Sequence, residues 1–280
     1  MTPQHRHGID ESTGAQTQES TDPATQTPRL DVRIDADRLD GAVEGALAIA
    51  DECRMAFDDG MVLRVRDPAD VAMAELELDR DAFETYSADA VTVGVVLERL
   101  RDASSMADGD LIDLSLSADG RFDLTAGAVE YTFAPLAADA VRQVEWIEGE
   151  TTAASVVMSG RALQRAVEAA DLVADHATFV VEAEDPALTV TATGDTDEVC
   201  LSFDEADVES IDTGPGTDGP LESLYSIDYL TEIVAAIPPG ATVAVEFVGG
   251  GEGGCPLSLE HDFADGAGTG RWLLAPRIRR

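Results

Sequence analysis

Leu39-Asp40-Gly41-Ala42-Val43-Glu44-Gly45-Ala46 returns 124 residues later as Leu163-Gln164-Arg165-Ala166-Val167-Glu168-Ala169-Ala170, and the match runs on to Ala50-Asp51 and Ala174-Asp175. Seven of these thirteen positions are identical. In both copies apolar residues fall at i, i+3/i+4 and i+7, the spacing of a helix with one buried face. Two strand-like runs follow each helix, residues 54–57 and 61–65 in the first copy and 178–181 and 188–192 in the second. Each copy therefore begins helix, then hairpin. Each continues with a strand expected to be half-buried (72–78 and 198–203), a second short helix (97–103 and 230–236) and an alternating strand (111–116 and 242–248). The second helices match at a spacing of 133, which places about nine extra residues in the second copy, most simply in the Gly/Pro/Asp-rich stretch 212–220. A duplicated unit of two short helices and many antiparallel strands predicts an α+β fold of two tandem domains whose sheets join side by side. Such a chain, with an unpaired strand edge at each end, is able to close into a ring with copies of itself.

Around this repeat the chain divides into a tail over 1–28, a first domain over 29–141, a connector over 142–152 and a second domain over 153–280. The tail is rich in Thr, Gln, Ser, Pro and Glu without apolar periodicity, and is expected to be disordered. Its His5 and His7 lack a third ligand, and no metal site is predicted. The connector is hydrophilic apart from Val144, Trp146 and Ile147, an unusual setting for a tryptophan unless something covers it.

The chain has 280 residues with 56 acidic and 18 basic side chains, a net charge of −38. Every basic residue is arginine; lysine and asparagine are absent, which excludes P-loop and Schiff-base chemistry. Self-repulsion at this charge disfavours a compact state in dilute buffer, whereas molar salt shrinks the Debye length to about 3 Å. The composition predicts the cytoplasm of an extreme halophile, an acidic binding module of a mesophile being the alternative. Cys53, Cys200 and Cys255 are odd in number and widely spaced, so neither a disulfide framework nor a thiolate zinc site is indicated. With no run of 18 apolar residues and no signal-peptide pattern, a soluble intracellular chain is expected.

Enzyme signatures are thin. Gly249-Gly250-Gly251-Glu252-Gly253-Gly254 satisfies G-x-G-x-x-G, but it leads to Cys255-Pro256 and another strand, not to a helix able to hold a pyrophosphate, and reads as a hairpin loop. His176 reads as a partner of a helix end, and His261 sits in a strand-like run. The acids of Asp67-Pro68-Ala69-Asp70 and of 195–198 suit a divalent cation, but clusters of this kind arise by chance among 56 acids. No catalytic residue and no cofactor is predicted.

Residues 51–60 and 65–73 resemble the first-domain signature of the archaeal proliferating-cell-nuclear-antigen family of DNA sliding clamps. Ala169-Ala170-Asp171-Leu172-Val173-Ala174-Asp175-His176, Ser226-Ile227-Asp228-Tyr229-Leu230 with Ala236-Ile237-Pro238, and Leu274-Ala275-Pro276-Arg277-Ile278 resemble its second-domain signatures. The similarity runs in order from about Leu30 to Ile278, with the duplication where the family has it. It implies a trimeric ring with helices lining a hole for duplex DNA. It implies also that polymerase, flap nuclease, ligase and clamp loader dock by short peptides on the outer face, with no membrane involved. The candidate residues toward DNA are few, Arg38, Arg99, Arg101, Arg161 and Arg165, of which Arg165 falls on a position the family usually keeps basic. For an apolar partner pocket they are Val71, Met73, Val144, Trp146, Pro256, Leu273, Leu274, Ala275 and Pro276, and for the subunit seam Tyr131, Phe133, Val199 and Leu201. The chain departs from the family pattern where acids or small residues replace basic ones at Asp40, Glu168, Thr231 and Ala235, in a connector without proline, and in the long tail. These departures keep a second function open, a clamp-fold adaptor that binds partners, or joins a true clamp subunit, without itself encircling DNA. An enzyme is the third reading, tied to His176 or to Asp195 and Asp197.

Overall fold

The computed structural model describes residues 30–107, 111–117, 119–147, 151–214, 219–249 and 254–278. The expected disordered tail with His5 and His7 lies outside the described residues, as do 148–150 of the expected connector, 215–218 of the expected insertion and 250–253 of the glycine run.

The first copy reads β1 (Leu30–Asp35), α1 (Ala36–Leu47), β2 (Glu52–Phe57), β3 (Gly60–Arg66), β4 (Ala72–Asp79), β5 (Phe83–Ala88), β6 (Val91–Val96), α2 (Leu97–Ser105), β7 (Leu111–Leu116), β8 (Phe122–Ala126) and β9 (Val129–Phe133). The second repeats that order with β10 (Thr152–Ser159), α3 (Gly160–Asp171), β11 (His176–Glu182), β12 (Ala187–Thr193), β13 (Glu198–Asp204), β14 (Ser210–Thr213) and β15 (Leu221–Ser226). It closes with α4 (Ile227–Ala236), β16 (Thr242–Val248), β17 (Leu257–Phe263) and β18 (Gly268–Leu274). Both first helices start on a polar cap that satisfies an otherwise orphaned amide: Asp35 accepts from the Asp37 N–H, Ser159 from the Ala162 N–H.

Matched hydrogen bonds fix how the copies superpose. The Leu97 N–H donates to the Asp51 carbonyl (2.8 Å), and the Ile227 N–H donates to the Asp175 carbonyl (3.0 Å). The second helices are therefore 130 apart and the second copy carries six extra residues, not nine. The sequence pattern matched Leu97 with Leu230 because both are apolar, whereas α4 begins at Ile227, one turn earlier.

Strands pair in three antiparallel sheets with orders β5-β1-β7-β8-β9, β14-β10-β16-β17-β18-β4-β3-β2-β6 and β13-β12-β11-β15. The nine-stranded sheet joins the two copies through β18 and β4, paired from Gly268↔Leu78 to Leu274↔Ala72. That joint corrects the expectation for residues 72–78: covered by helices on one side and flanked by two strands, β4 is buried on both faces, Glu75 included. The antiparallel pairing of β16 with β17 makes the glycine-rich run the link of a hairpin, as expected.

The helices form one layer on the sheets in the order α2, α1, α4, α3, each in contact with the next. Leu39, Ala42, Val43 and Ala46 of α1 and Leu163, Ala166, Val167 and Ala170 of α3 face the core. Burying a large apolar side chain contributes roughly 1.5–3 kcal/mol. At the joint the indole of Trp272 is buried and its Nε1–H donates to the Gly45 carbonyl (3.0 Å). A Cβ on residue 45 would sit 2.7 Å from Leu76 Cδ1 and 3.0 Å from that indole, so the helix needs glycine there, where the second copy has Ala169. His261 stacks on Trp272 at 5.4 Å, and burial pushes its pKa below the usual imidazole value.

Candidate functional site

Three surfaces concentrate the predicted residues. The first is the outer side of the helix layer. The four helices carry five arginines and nine acids, a net of −4. All five predicted DNA-facing arginines lie there, in two different states. Arg99, Arg161 and Arg165 are exposed and make no ion pair among the described residues. Arg38 donates to the Ala82 carbonyl (2.9 Å) and pairs with Asp265 (3.2 Å), while Arg101 lies 4.0 Å from Glu44. Asp40, an acid where the family is usually basic, has a local use: it accepts the Ser104 hydroxyl, tying α1 to α2. Burial raises its pKa, against the opposing effect of that hydrogen bond. Thr231 is half-buried, and its buried hydroxyl oxygen has no hydrogen-bond partner among the described residues.

The second surface is a pair of strand edges. Within the chain β9 and β13 are outermost in their sheets, with one edge unpaired. The duplicated topology makes β9 the counterpart of β18 and β13 the counterpart of β4, the two strands that pair with each other inside the chain. Tyr131 and Phe133 of β9, and Val199 and Leu201 of β13, are half-buried and alternate with exposed residues. Tyr131 stacks on Phe133 at 5.4 Å. All four predicted seam residues thus lie on the core-facing sides of open edges.

The third lies at the end of β18. Val71, Ala275 and Pro276 line an apolar cavity of about 550 Å³ together with His176, Leu224, Arg277 and Ile278. The other six predicted pocket residues are elsewhere. Met73, Val144 and Leu274 are buried, and Leu273 and Pro256 half-buried, without lining that cavity. Trp146 lines a separate recess with Arg66, Gln143, Glu145 and Ile147, and its ring lies 5.2 Å from the Arg271 guanidinium, a cation–π contact. Arg271 in turn pairs, as Arg64 does, with the buried carboxylate of Glu75. One face of the half-buried indole is therefore covered by the chain itself. Further contacts hold the connector to the first copy: Arg54 donates to the Val141 carbonyl (3.0 Å), and Arg142 pairs with Asp70 (2.6 Å).

The turn 67–70 is structural. Asp67 is buried and accepts from the N–H groups of Ala69, Val71 and Ala72 and from the Tyr229 hydroxyl of α4 (2.8 Å), which joins the two copies. Among the described residues no group of three or more His, Cys, Asp or Glu is placed to hold a metal ion. His176 does not cap a helix; it opens β11, paired with Ser226, and its Nε2 accepts from Arg277 Nε (3.1 Å). Among the described residues no helix is long and apolar enough to cross a membrane.

Comparison with known proteins brings these surfaces under one family. The DNA polymerase sliding clamps of Natronomonas pharaonis and Haloarcula marismortui are each 38% identical to the chain over 249 residues, 88% of this chain and 97% of the relative. The chain belongs to the DNA polymerase sliding clamp family. No family model matches it. The solved structure of the C-terminal region of FEN-1 bound to A. fulgidus PCNA matches this clamp with a TM-score of 0.80 at 27% identity, covering 90% of this chain and 99% of that one. PCNA from Thermococcus kodakaraensis shares the fold, with a TM-score of 0.77 at 24% identity. The halophilic relatives agree with the composition of this clamp.

One consequence for the clamp follows from Asp67. Burial works to raise its pKa, but the hydrogen bonds from Ala72, Tyr229, Ala69 and Val71 outweigh it and hold the carboxyl below the ordinary value. A depressed native pKa gives stability that is complete above the unfolded value of about 3.9 and is lost as pH falls through the native one. Asp67→Asn is expected to lower stability by about 1–3 kcal/mol at neutral pH, a gap that shrinks below about pH 4. Denaturant titrations in molar KCl over a pH series check this; a gap that stays constant into acid contradicts it.

Proposed function

We propose that this clamp closes head to tail into a ring of three, holds duplex DNA by encirclement and tethers polymerase, flap nuclease and ligase without performing catalysis itself. The observation that carries this reading is the internal β18–β4 joint together with the two free edges that are its counterparts. Following the strand ladders copy onto copy, Trp272 corresponds to Tyr131 and Gly270 to Val129. Ala74 corresponds to Val199 and Leu76 to Leu201. Repeating the internal register between subunits sets Tyr131 opposite Val199 and Val129 opposite Leu201 on the helix side, and Glu130 opposite Cys200 on the outer side. Apolar residues then meet apolar ones and the free edges of β9 and β13 close on each other, which lessens an aggregation hazard.

The helix layer would line the hole. With only Arg99, Arg161 and Arg165 of the helix arginines free of ion pairs among the described residues, on helices that carry nine acids, phosphate neutralisation by the chain is slight, and retention rests on topology more than on affinity. The cavity at Val71, Ala275 and Pro276 is the docking site this reading assigns to partner peptides, which raise the partner's effective concentration at the template. Clamp loader action opens the ring.

Glu130→Cys tests assembly, register and encirclement together, because Cβ atoms of residues directly opposite across antiparallel strands lie about 4.5–5.5 Å apart. After loading on nicked circular DNA and oxidation, the variant is expected to join to Cys200 of the next subunit. The product should be a covalent ring that stays on the circle in detergent and is released when the DNA is cut. No cross-link, or a cross-linked ring that never remains on circular DNA, overturns the seam or the encirclement respectively.

A further inference from the structure

The duplication offers a comparison between two corresponding places, and only one of them is filled. In the first copy Gly94 of β6 exchanges both backbone hydrogen bonds with Leu136 (3.0 and 2.8 Å), and after one 3-10 turn Val141 rests on Gly94. A Cβ on residue 94 would lie 2.7 Å from Val141 Cγ2, so this place is closed by the chain itself, with an extended segment, a tight turn and one apolar side chain. Arg54 receives the carbonyl of that same Val141.

The counterpart of Gly94 is Leu224 of β15. Its carbonyl accepts the Arg277 N–H (2.7 Å), but beside it lies the open cavity lined by Val71, Pro276 and Ile278, the last 78% exposed. At the rim stands Arg277. In a chain with 56 acids its guanidinium makes no ion pair among the described residues; its Nε–H is held instead by the His176 ring. Among the described arginines, it is the one that lines this open apolar cavity, with its charge uncompensated by a carboxylate. On the far side of His176 an adjoining recess carries Asp175 and Asp195, which repel a second anion there.

We propose that Arg277, steadied by His176, is a specificity residue that takes a carboxylate of a docked peptide whose neighbouring apolar side chain fills this cavity. This rests on the assignment of the cavity as the partner site. The peptide would supply to the second copy what residues 136–141 supply to the first, with an acidic side chain added. Arginine suits the role because its planar fork meets a carboxylate with two parallel N–H···O bonds, and a pair beside an apolar wall is screened less by salt than one in open solvent.

The test uses the full chain in molar KCl and, as probe, a fluorescent peptide corresponding to the FEN-1 C-terminal region of the A. fulgidus complex. Versions of the probe with each Asp or Glu in turn changed to its amide are measured by polarisation. One such change is expected to weaken binding to the native chain about five- to tenfold, as loss of a charge-assisted hydrogen bond does, and to make no difference to Arg277→Gln. Arg277→Gln alters an exposed side chain, and an unchanged melting curve confirms that it folds. Arg277→Lys, lacking the fork, is expected to retain only part of the discrimination. Equal binding of all amide versions to the native chain, or discrimination that survives in Arg277→Gln, overturns the proposal while leaving the cavity as a docking site. Absence of any probe binding to the native chain overturns both.

Discussion

Leu201→Asp is expected to convert the clamp from the proposed ring of three to single chains. Leu201 is half-buried on the core-facing side of β13, and in the proposed seam it lies opposite Val129 of the next subunit. A carboxylate there would be desolvated without a partner, in a chain whose surface is already acidic. A loss of about 3 kcal/mol per contact is roughly a hundredfold in affinity, and a closed ring needs every contact. Size-exclusion chromatography with light scattering in molar KCl is the measurement. The variant should elute as a folded monomer at micromolar concentration, while Ser202→Asp, one residue along on the exposed side of the same strand, keeps the assembly of the native chain. Dissociation by both substitutions, or by neither, removes the side-specific seam.

The second large effect belongs to Glu75. Its side chain is 1% exposed, inside the sheet joint, and pairs with both Arg64 and Arg271. The nearest other acid, Glu77, lies 4.0 Å from each arginine, and burial together with the nearby Glu75 charge raises the Glu77 pKa. Arg271 also carries the Trp146 ring, and its Nε is buried without a hydrogen-bond partner among the described residues. Glu75→Ala removes the charge that compensates both guanidinium groups. Because the two arginine side chains left behind are 43% and 28% exposed, a loss of about 1.5–3 kcal/mol of stability is expected, the size of a lost hydrogen bond to a charged group. Denaturant unfolding in molar KCl checks the loss. Trp146 fluorescence is expected to change in the folded variant, because the guanidinium beneath the indole is no longer held. A change below 1 kcal/mol would show that the network has no hold on the joint.

The repeat was legible because it is written in helices α1 and α3, whose apolar residues face the same core and so keep the same spacing. The antiparallel hairpins that follow were legible for the same reason. Burial of β4 was not, since its sequence Ala72–Asp79 alternates partly with acids, and the arginines that meet Glu75 on the second face, Arg64 and Arg271, come from the flanking strands β3 and β18. The position of α4 was misjudged by one turn because an apolar pattern defines a face better than it defines a first residue.

The functional surfaces divide in the same way. Tyr131, Phe133, Val199 and Leu201 were read from alternating strands, a local signal, and lie on the edge strands β9 and β13. Of the residues expected in the pocket, Val71, Ala275 and Pro276 line one cavity, whereas the Trp146 ring lies on Arg271 in a separate recess. His176 and Arg277 were missed as a pair because they lie 101 residues apart and meet only where β11 and the segment after β18 converge. The one available signal was an arginine in the closing Leu-Ala-Pro-Arg-Ile motif of a chain where cations are scarce. Asp67 read as a stray acid in a possible cation site, and only the placement of α4 reveals it as the acceptor of Tyr229.

The central claim is that the two ends of the duplicated unit pair as its two halves do. Light scattering of the native chain in molar KCl tests it most directly. A mass three times that of the 29.5 kDa chain, constant across micromolar concentrations, is the predicted result. A mass of one chain throughout that range, with β9 and β13 left open, would contradict it.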